Sequence, residues 1–196
     1  VIAERDPGAF QRAFAHAVAG SGPVFLADPA WGVVEREQFD AVVNAPVVDP
    51  VAAKGWLCIP TGGSSGRMKL ARHDQETLAA AVNGFRRHFG VTQINAVGLL
   101  PLHHVSGLMG WLRCVLTGGV HLPWDAGALL EGRMPEIAGT GPWFLSLVPT
   151  QLARLMERPA AVAWMLKFRA VFVGGGPAWP ALIDAGARLG LPLSFT

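Results

Sequence analysis

The chain has 196 residues, 16 Lys and Arg against 14 Asp and Glu, and a formal net charge of +2; it is 51% hydrophobic and only 15% charged, where roughly 25% charged is usual. No basic cluster with interleaved aromatics points to nucleic acid, no run reaches the 18 or so unbroken apolar residues of a membrane span, and the two cysteines, Cys58 and Cys114, sit in apolar runs as small buried hydrophobes of a reducing compartment. Cytoplasm is therefore the expected location. The length suits one domain or one and a half, and a mean hydropathy of +0.35 suits a piece of a larger protein. The absence of Met at position 1 and an end just after the strand-like "LPLSF" lead to the same expectation.

The elements follow in chain order. Asp6 before Pro7 reads as an N-cap and first-turn pair opening a helix through Val18. "PVFLAD" (23–28) reads as a strand, 33–44 as a helix or helical turns, and "GWLCIP" (55–60) as a short buried strand. A Gly/Ser loop follows, then an extended "MKLAR" (68–72). Asp74 caps a helix whose Leu78, Ala81, Val82, Phe85 and Phe89 are spaced for one face. "NAVGLLP" (95–101) is a strand, 105–118 a helix, "VHLP" a short strand, and 126–138 helical in part. "WFLSLV" (143–148) is a strand, Pro149 opens a helix through Glu157, "RAVFVGGG" (169–176) is a strand running into a turn, 179–189 a helix, and "LPLSF" the last strand. Alternating strands and helices with near-continuous apolar strands predict an α/β fold with mostly parallel sheets flanked by helices. Ligands in such sheets bind beyond the carboxyl ends of strands, where three segments fall: 61–69, 101–108 and 174–178.

The first of these, "TGGSSGRMK", stops an apolar strand with hydroxyls, glycines and two cations, a composition suited to wrapping an anion. A Walker A loop fails on spacing, since Gly66 is followed by Arg67 and Met68 and Lys69 comes too late. Gly62-Gly63-Ser64-Ser65-Gly66 matches the G-x-S-x-G nucleophile elbow of a serine hydrolase, but an elbow turns at once into a helix, and the residues after it look extended. His103, His104, His121 and Asp125 would be the pool for a triad, with no pairing singled out. The third reading is a phosphate-wrapping loop in which backbone N–H groups, hydroxyls and a nearby cation hold the anion without a helix N-terminus; a plain surface turn is the bland alternative. His103-His104 after a strand could be metal ligands, but adjacent histidines seldom ligate together, and a packed or gating role is the better reading; no metal site is assigned. Gly174-x-Gly176 lacks a third glycine at the dinucleotide spacing, position 179 being Trp.

"TGGSSGRMK" resembles the phosphate-binding signature of the adenylate-forming superfamily, the acyl-CoA synthetases and their relatives. Thr61, Gly62, Gly63, Ser64, Ser65, Gly66 and Lys69 fall on it, with Met68 in place of the usual proline and Leu70 of the usual glycine. "LLPLHHVSGLMGWL" resembles the family's "PLFHVSGL" segment, His104 matching its histidine and His103 replacing a phenylalanine. "FLSLVPTQLARL" and "VFVGGGPAWP" are most similar to the 2-succinylbenzoate–CoA ligase branch, which serves menaquinone and phylloquinone synthesis. The resemblance implies an N-terminal part of an adenylation domain over 1–196, lacking the rest of the core and the mobile C-terminal domain. It implies ATP, Mg2+ and CoA as cofactors and co-substrates and a small carboxylic acid as the partner. By that resemblance Lys69 and His104 are catalytic, and Thr61 to Gly66 with Lys69 bind phosphate. Gly174, Gly175, Gly176, Pro177 and Ala178 line adenine, and His104, Ser106, Gly107 and Leu108 border the acid. Another acid of the same superfamily, a serine hydrolase using Ser64, and a truncated binding module without catalysis are the alternative readings. The resemblance leaves the oligomeric state open, and also the group that offsets a second carboxylate of the acid: Arg113 and Arg169 are candidates that no motif places, beside a partner outside these 196 residues.

Overall fold

The computed structural model describes residues 1–45, 55–61, 67–139 and 141–195. It divides into two compact units, residues 1–84 with 101–108 and residues 85–100 with 109–196.

The first unit is built on a three-stranded sheet, β1 (Val24–Phe25), β2 (Leu57–Thr61) and β3 (Lys69–His73), in that spatial order. β1 runs parallel to β2 and β2 antiparallel to β3. Helix α1 (Pro7–Ala19) starts where the sequence places it: Asp6 Oδ1 accepts the Ala9 N–H at 2.7 Å and Pro7 occupies the first turn, where its missing N–H costs nothing. Phe10 and Phe14 are its buried residues, and Phe14 meets the ring of Trp56. Helix α2 (Val33–Val43) buries Phe39, which contacts Phe25 and Trp31 edge-on or tilted. Leu57, Cys58 and Ile59 are buried through the middle of β2. Gly55, at φ +100°, passes so close to the His73 backbone that a Cβ would sit 2.9 Å from it. That approach seals the far end of the β2–β3 pair.

The second unit is a parallel sheet of five strands in the order β5 (His121–Pro123), β4 (Asn95–Gly98), β6 (Trp143–Leu147), β7 (Ala170–Val173), β8 (Leu193–Phe195). The order reverses between β4 and β6, the place where the carboxyl ends of neighbouring strands send their chains apart. The helices connecting or flanking the strands are α3 (Gln75–Phe89) and α4 (Val105–Thr117), which each contribute residues to both units, and α5 (Ala126–Leu130), α6 (Pro149–Met156), α7 (Pro159–Met165) and α8 (Pro180–Arg188). One cluster joins Leu145, Leu147 and Val171 of the sheet to Leu152, Leu155, Trp164, Met165 and Leu182 of α6, α7 and α8. A second joins Ile94, Phe144 and Cys114 to Phe85 and Phe89. The α/β class and parallel flanked sheet therefore stand as the sequence predicts. The helical stretch 126–138 contracts to the five residues of α5, which Gly132 terminates at φ +95°. Helix α7 is an addition, opened by Pro159 after an extended Arg158. Among the described residues no helix is long and apolar enough to cross a membrane.

The turn from α4 into β5 tolerates no side chain at Gly119, where a Cβ would run into the Ile94 carbonyl. The same turn is held by the Gly119 N–H on the Cys114 carbonyl and the Val120 N–H on the buried Asn95 Oδ1. Gly119→Ala is expected to cost about 1–3 kcal/mol, the usual toll of overpacking, read as a lowered urea midpoint at unchanged slope.

Candidate active site

β2 and β3 pair in full register, Leu57 with His73 at one end and Thr61 with Lys69 at the other. The Thr61 hydroxyl donates to the Lys69 carbonyl at 3.3 Å. The Gly/Ser segment thus springs from two residues held side by side, both exposed. Gly62, Gly63, Ser64, Ser65 and Gly66, five of the expected phosphate ligands, lie outside the described residues. After the Gly/Ser segment the described chain returns as an antiparallel strand, whereas a nucleophile elbow turns at once into a helix. Asp125 is spent elsewhere: its Oδ1 accepts the Ala128 N–H at 2.6 Å as the cap of α5.

A cavity of about 400 Å³ opens beside the loop base, lined by Pro60, Thr61, Arg67, Met68, His103 and His104 and, across from them, Asp28, Trp31, Glu35 and Gln38. Gln38 Oε1 accepts the Met68 N–H at 3.2 Å, tying α2 to the strand that carries Lys69. No sequence motif marks this second wall. Its one legible sign is that Asp28 ends the strand-like "PVFLAD", at the carboxyl side where ligands collect. Asp28 is fixed by its own turn, Oδ1 accepting the Ala30 N–H at 2.8 Å and its carbonyl the Trp31 N–H at 3.1 Å.

His103 and His104 differ sharply. His103 is 5% exposed with Nε2 3.4 Å from Asp28 Oδ1; His104 is 55% exposed with Nε2 3.7 Å from Oδ2. Burial first, and the neighbouring His104 second, push the His103 pKa down, against the pull of the Asp28 carboxylate and the Glu4 backbone. Nδ1 of His103 is buried and makes no bond of hydrogen-bond geometry. Ser106 is exposed, whereas Gly107 and Leu108 are buried in the first turn of α4, Leu108 completely. His73 closes β3, and Asp74 caps α3 by accepting the Thr77 N–H at 2.8 Å, a bond that holds its carboxyl below the usual range.

In the second unit, Gly174 to Ala178 form an exposed or half-exposed turn beyond the carboxyl end of β7. Gly175 takes φ +79°, a conformation in which a side chain would be strained. The Gly174 N–H is held by the Leu147 carbonyl at 3.1 Å. Arg113 and Arg169 lie over the rings of Phe85 and Phe89, at 4.2 and 5.9 Å from the centroids, so both face aromatics of α3. The thiols are poor nucleophiles: burial raises the Cys58 pKa and pushes that of Cys114 up to about 12, and both cysteines are unbridged.

A strand, a Gly/Ser/Thr loop anchored by a lysine, and a glycine turn after a later parallel strand are the parts of a nucleotide-handling α/β enzyme. The chain belongs to the AMP-binding enzyme family, whose match covers residues 15–192. A probable 2-succinylbenzoate–CoA ligase of Mycobacterium tuberculosis is 28% identical over 195 residues, covering 92% of this chain and 51% of that protein. A mitochondrial malonate–CoA ligase of Mus musculus is 28% identical over 138 residues, covering 66% of this chain and 22% of that protein. The o-succinylbenzoate CoA synthetase of Bacillus subtilis, solved with its acyl-adenylate intermediate, superposes with a TM-score of 0.59 at 22% identity over 95% of this chain and 41% of that one; at that identity the likeness is one of fold. The chain spans about half the length of the mycobacterial relative.

His121, a candidate on sequence, sits in β5, where burial pulls its pKa down from 6.5 to about 4 and leaves Nδ1 without a partner. The folded protein therefore resists a proton that the unfolded chain accepts. Stability is whole above pH 6.5 and drains as pH falls from 6.5 towards about 4. Thermal melts across that window should show a shallower acid loss in His121→Leu than in the parent; equal slopes would assign the loss to other groups.

Proposed function

We propose that the chain is the N-terminal part of the core of a cytoplasmic carboxylic acid–CoA ligase acting on 2-succinylbenzoate in menaquinone or phylloquinone synthesis. The observation that carries the reading is the pairing of Thr61 with Lys69, which puts a hydroxyl and an ammonium at the two ends of a Gly/Ser loop. Family membership supplies the nucleotide. The acid itself is supported by the mycobacterial relative and the "SLVPT" and "VGGGPA" segments.

In this reading the acid's carboxylate attacks the α-phosphorus of ATP, the bond to pyrophosphate breaks, and an acyl-adenylate forms. The CoA thiol then attacks the acyl carbon and AMP leaves. Such chemistry depends on positioning and on stabilising the leaving charge rather than on an acid–base pair. Thr61, Gly62, Gly63, Ser64, Ser65, Gly66 and Lys69 hold the β- and γ-phosphates, and Arg67 adds positive charge at the cavity wall. Gly174 to Ala178 seat adenine, with Gly175 leaving the backbone bare. His104 and Ser106 border the acid, with the buried Gly107 and Leu108 shaping the ground behind them. Mg2+ would enter with the nucleotide and supply neutralising charge at the phosphates beside Thr61 and Lys69. The similarity to the mouse ligase supports a second reading in which the acid is malonate.

In the complete ligase, Lys69→Ala and Ser64→Ala should each lower ATP–pyrophosphate exchange by about a hundredfold, the scale of losing one well-placed donor to a developing charge. A fluorophosphonate adduct on Ser64 would sink the phosphate reading. Offered 2-succinylbenzoate, malonate, benzoate and a medium-chain fatty acid, the ligase should form the 2-succinylbenzoyl thioester with the highest kcat/KM, followed by mass spectrometry. A higher value for any other acid removes the substrate assignment and leaves the family.

A further inference from the structure

We propose that Asp28, His103 and His104 form a binding site for one divalent transition-metal ion of the zinc or cobalt kind, distinct from any magnesium that travels with a nucleotide. Each of the three residues offers a ligand atom, a ring nitrogen or a carboxylate oxygen, and these atoms lie within 4.8 Å of one another; towards Asp28 the nitrogen is Nε2 in both histidines. Their separations, 3.4 Å from His103 to Oδ1 and 3.7 Å from His104 to Oδ2, are too long for charge-assisted hydrogen bonds, which run about 2.7–2.9 Å. They are close to what an ion needs: ligands about 2.0–2.2 Å from a tetrahedral zinc stand roughly 3.3 Å from one another. The carboxylate faces two imidazoles across a gap of the right size for a cation.

The chemistry of the donors selects the ion. Two imidazoles and one carboxylate suit zinc, cobalt or nickel, whereas magnesium and calcium take oxygen. Three protein ligands leave a fourth position, as in open zinc sites, and here all three line the cavity of about 400 Å³, so a water has room beside them. The set is also held in advance. His103 is packed at 5% exposure, Asp28 is locked by the Ala30 and Trp31 N–H groups, and His104 is clamped by its N–H on the Pro101 carbonyl at 3.1 Å and its carbonyl on the Leu108 N–H at 2.9 Å. Adjacent histidines rarely share an ion because their side chains diverge; here the rings stand with centroids 4.5 Å apart and both turn Nε2 to the same carboxylate. An ion there would tie the turn after β1 to the start of α4.

The test uses the complete ligase, stripped with a chelator and titrated with Zn2+ by calorimetry and with Co2+ by visible absorption. One equivalent of each should bind, Co2+ with the d–d bands of a four- or five-coordinate site. His104→Ala and Asp28→Asn alter exposed or half-buried groups and should fold, as circular dichroism would verify; each should weaken binding tenfold or more. His16→Ala, on the exposed side of α1, should leave it unchanged. Zinc should raise the melting temperature of the parent by mass action and not that of Asp28→Asn. No saturable binding at one equivalent, or binding by both variants within twofold of the parent, overturns the proposal.

Discussion

The antiparallel pairing of β2 with β3 is the constraint from which the candidate site follows. Five residue pairs, from Leu57–His73 to Thr61–Lys69, fix the two ends of the Gly/Ser loop at neighbouring strand distance, about 5 Å. The pairing is itself secured at both ends: by the bare Cα of Gly55 against His73 and by the Thr61 hydroxyl on the Lys69 carbonyl. A helix after the loop would have aimed one dipole at the ligand; a returning strand instead delivers a lysine in register. That difference separates this architecture from a Walker loop and from a nucleophile elbow, although all three read as a strand followed by glycines and a hydroxyl.

Much of this was legible without coordinates because the signals are local. Proline at 7 and 149 and aspartate at 6 and 74 mark helix starts through backbone chemistry that needs no tertiary partner. Apolar strands such as "WFLSL" announce a sheet covered on both faces. Less legible was whatever depends on sequence-distant partners. Nothing near Asp28 says that His103 will come to it, and nothing near Gln38 says that it will accept the Met68 N–H. Helix α7 escaped because seven residues with a single proline signal carry too little periodicity. The stacking of Arg113 on Phe85 pairs residues 28 positions apart, beyond any local pattern.

The same molecule treats its titratable groups in two ways. Where they meet backbone donors at helix starts, as Asp74 does, the charged form is favoured. Where they are enclosed, as Cys114 and His121 are, the neutral form is. His103 belongs to both settings, enclosed by packing yet facing a carboxylate. A buried polar ring is an expense in an otherwise apolar neighbourhood, and an apolar ring at that position would avoid it.

Gly98 and His121 lie across β4 and β5, and a Cβ on Gly98 would collide with the His121 ring. The imidazole therefore occupies the volume that any other residue at 98 would claim. Bulk at this sheet edge is a shared quantity: one position is empty because the other is full. Drift at either site is conditional on the other, so a larger residue at 98 becomes acceptable only after 121 has shrunk. The pair can be held as small–large or large–small, and the path between them runs through small–small, since large–large alone is excluded by volume.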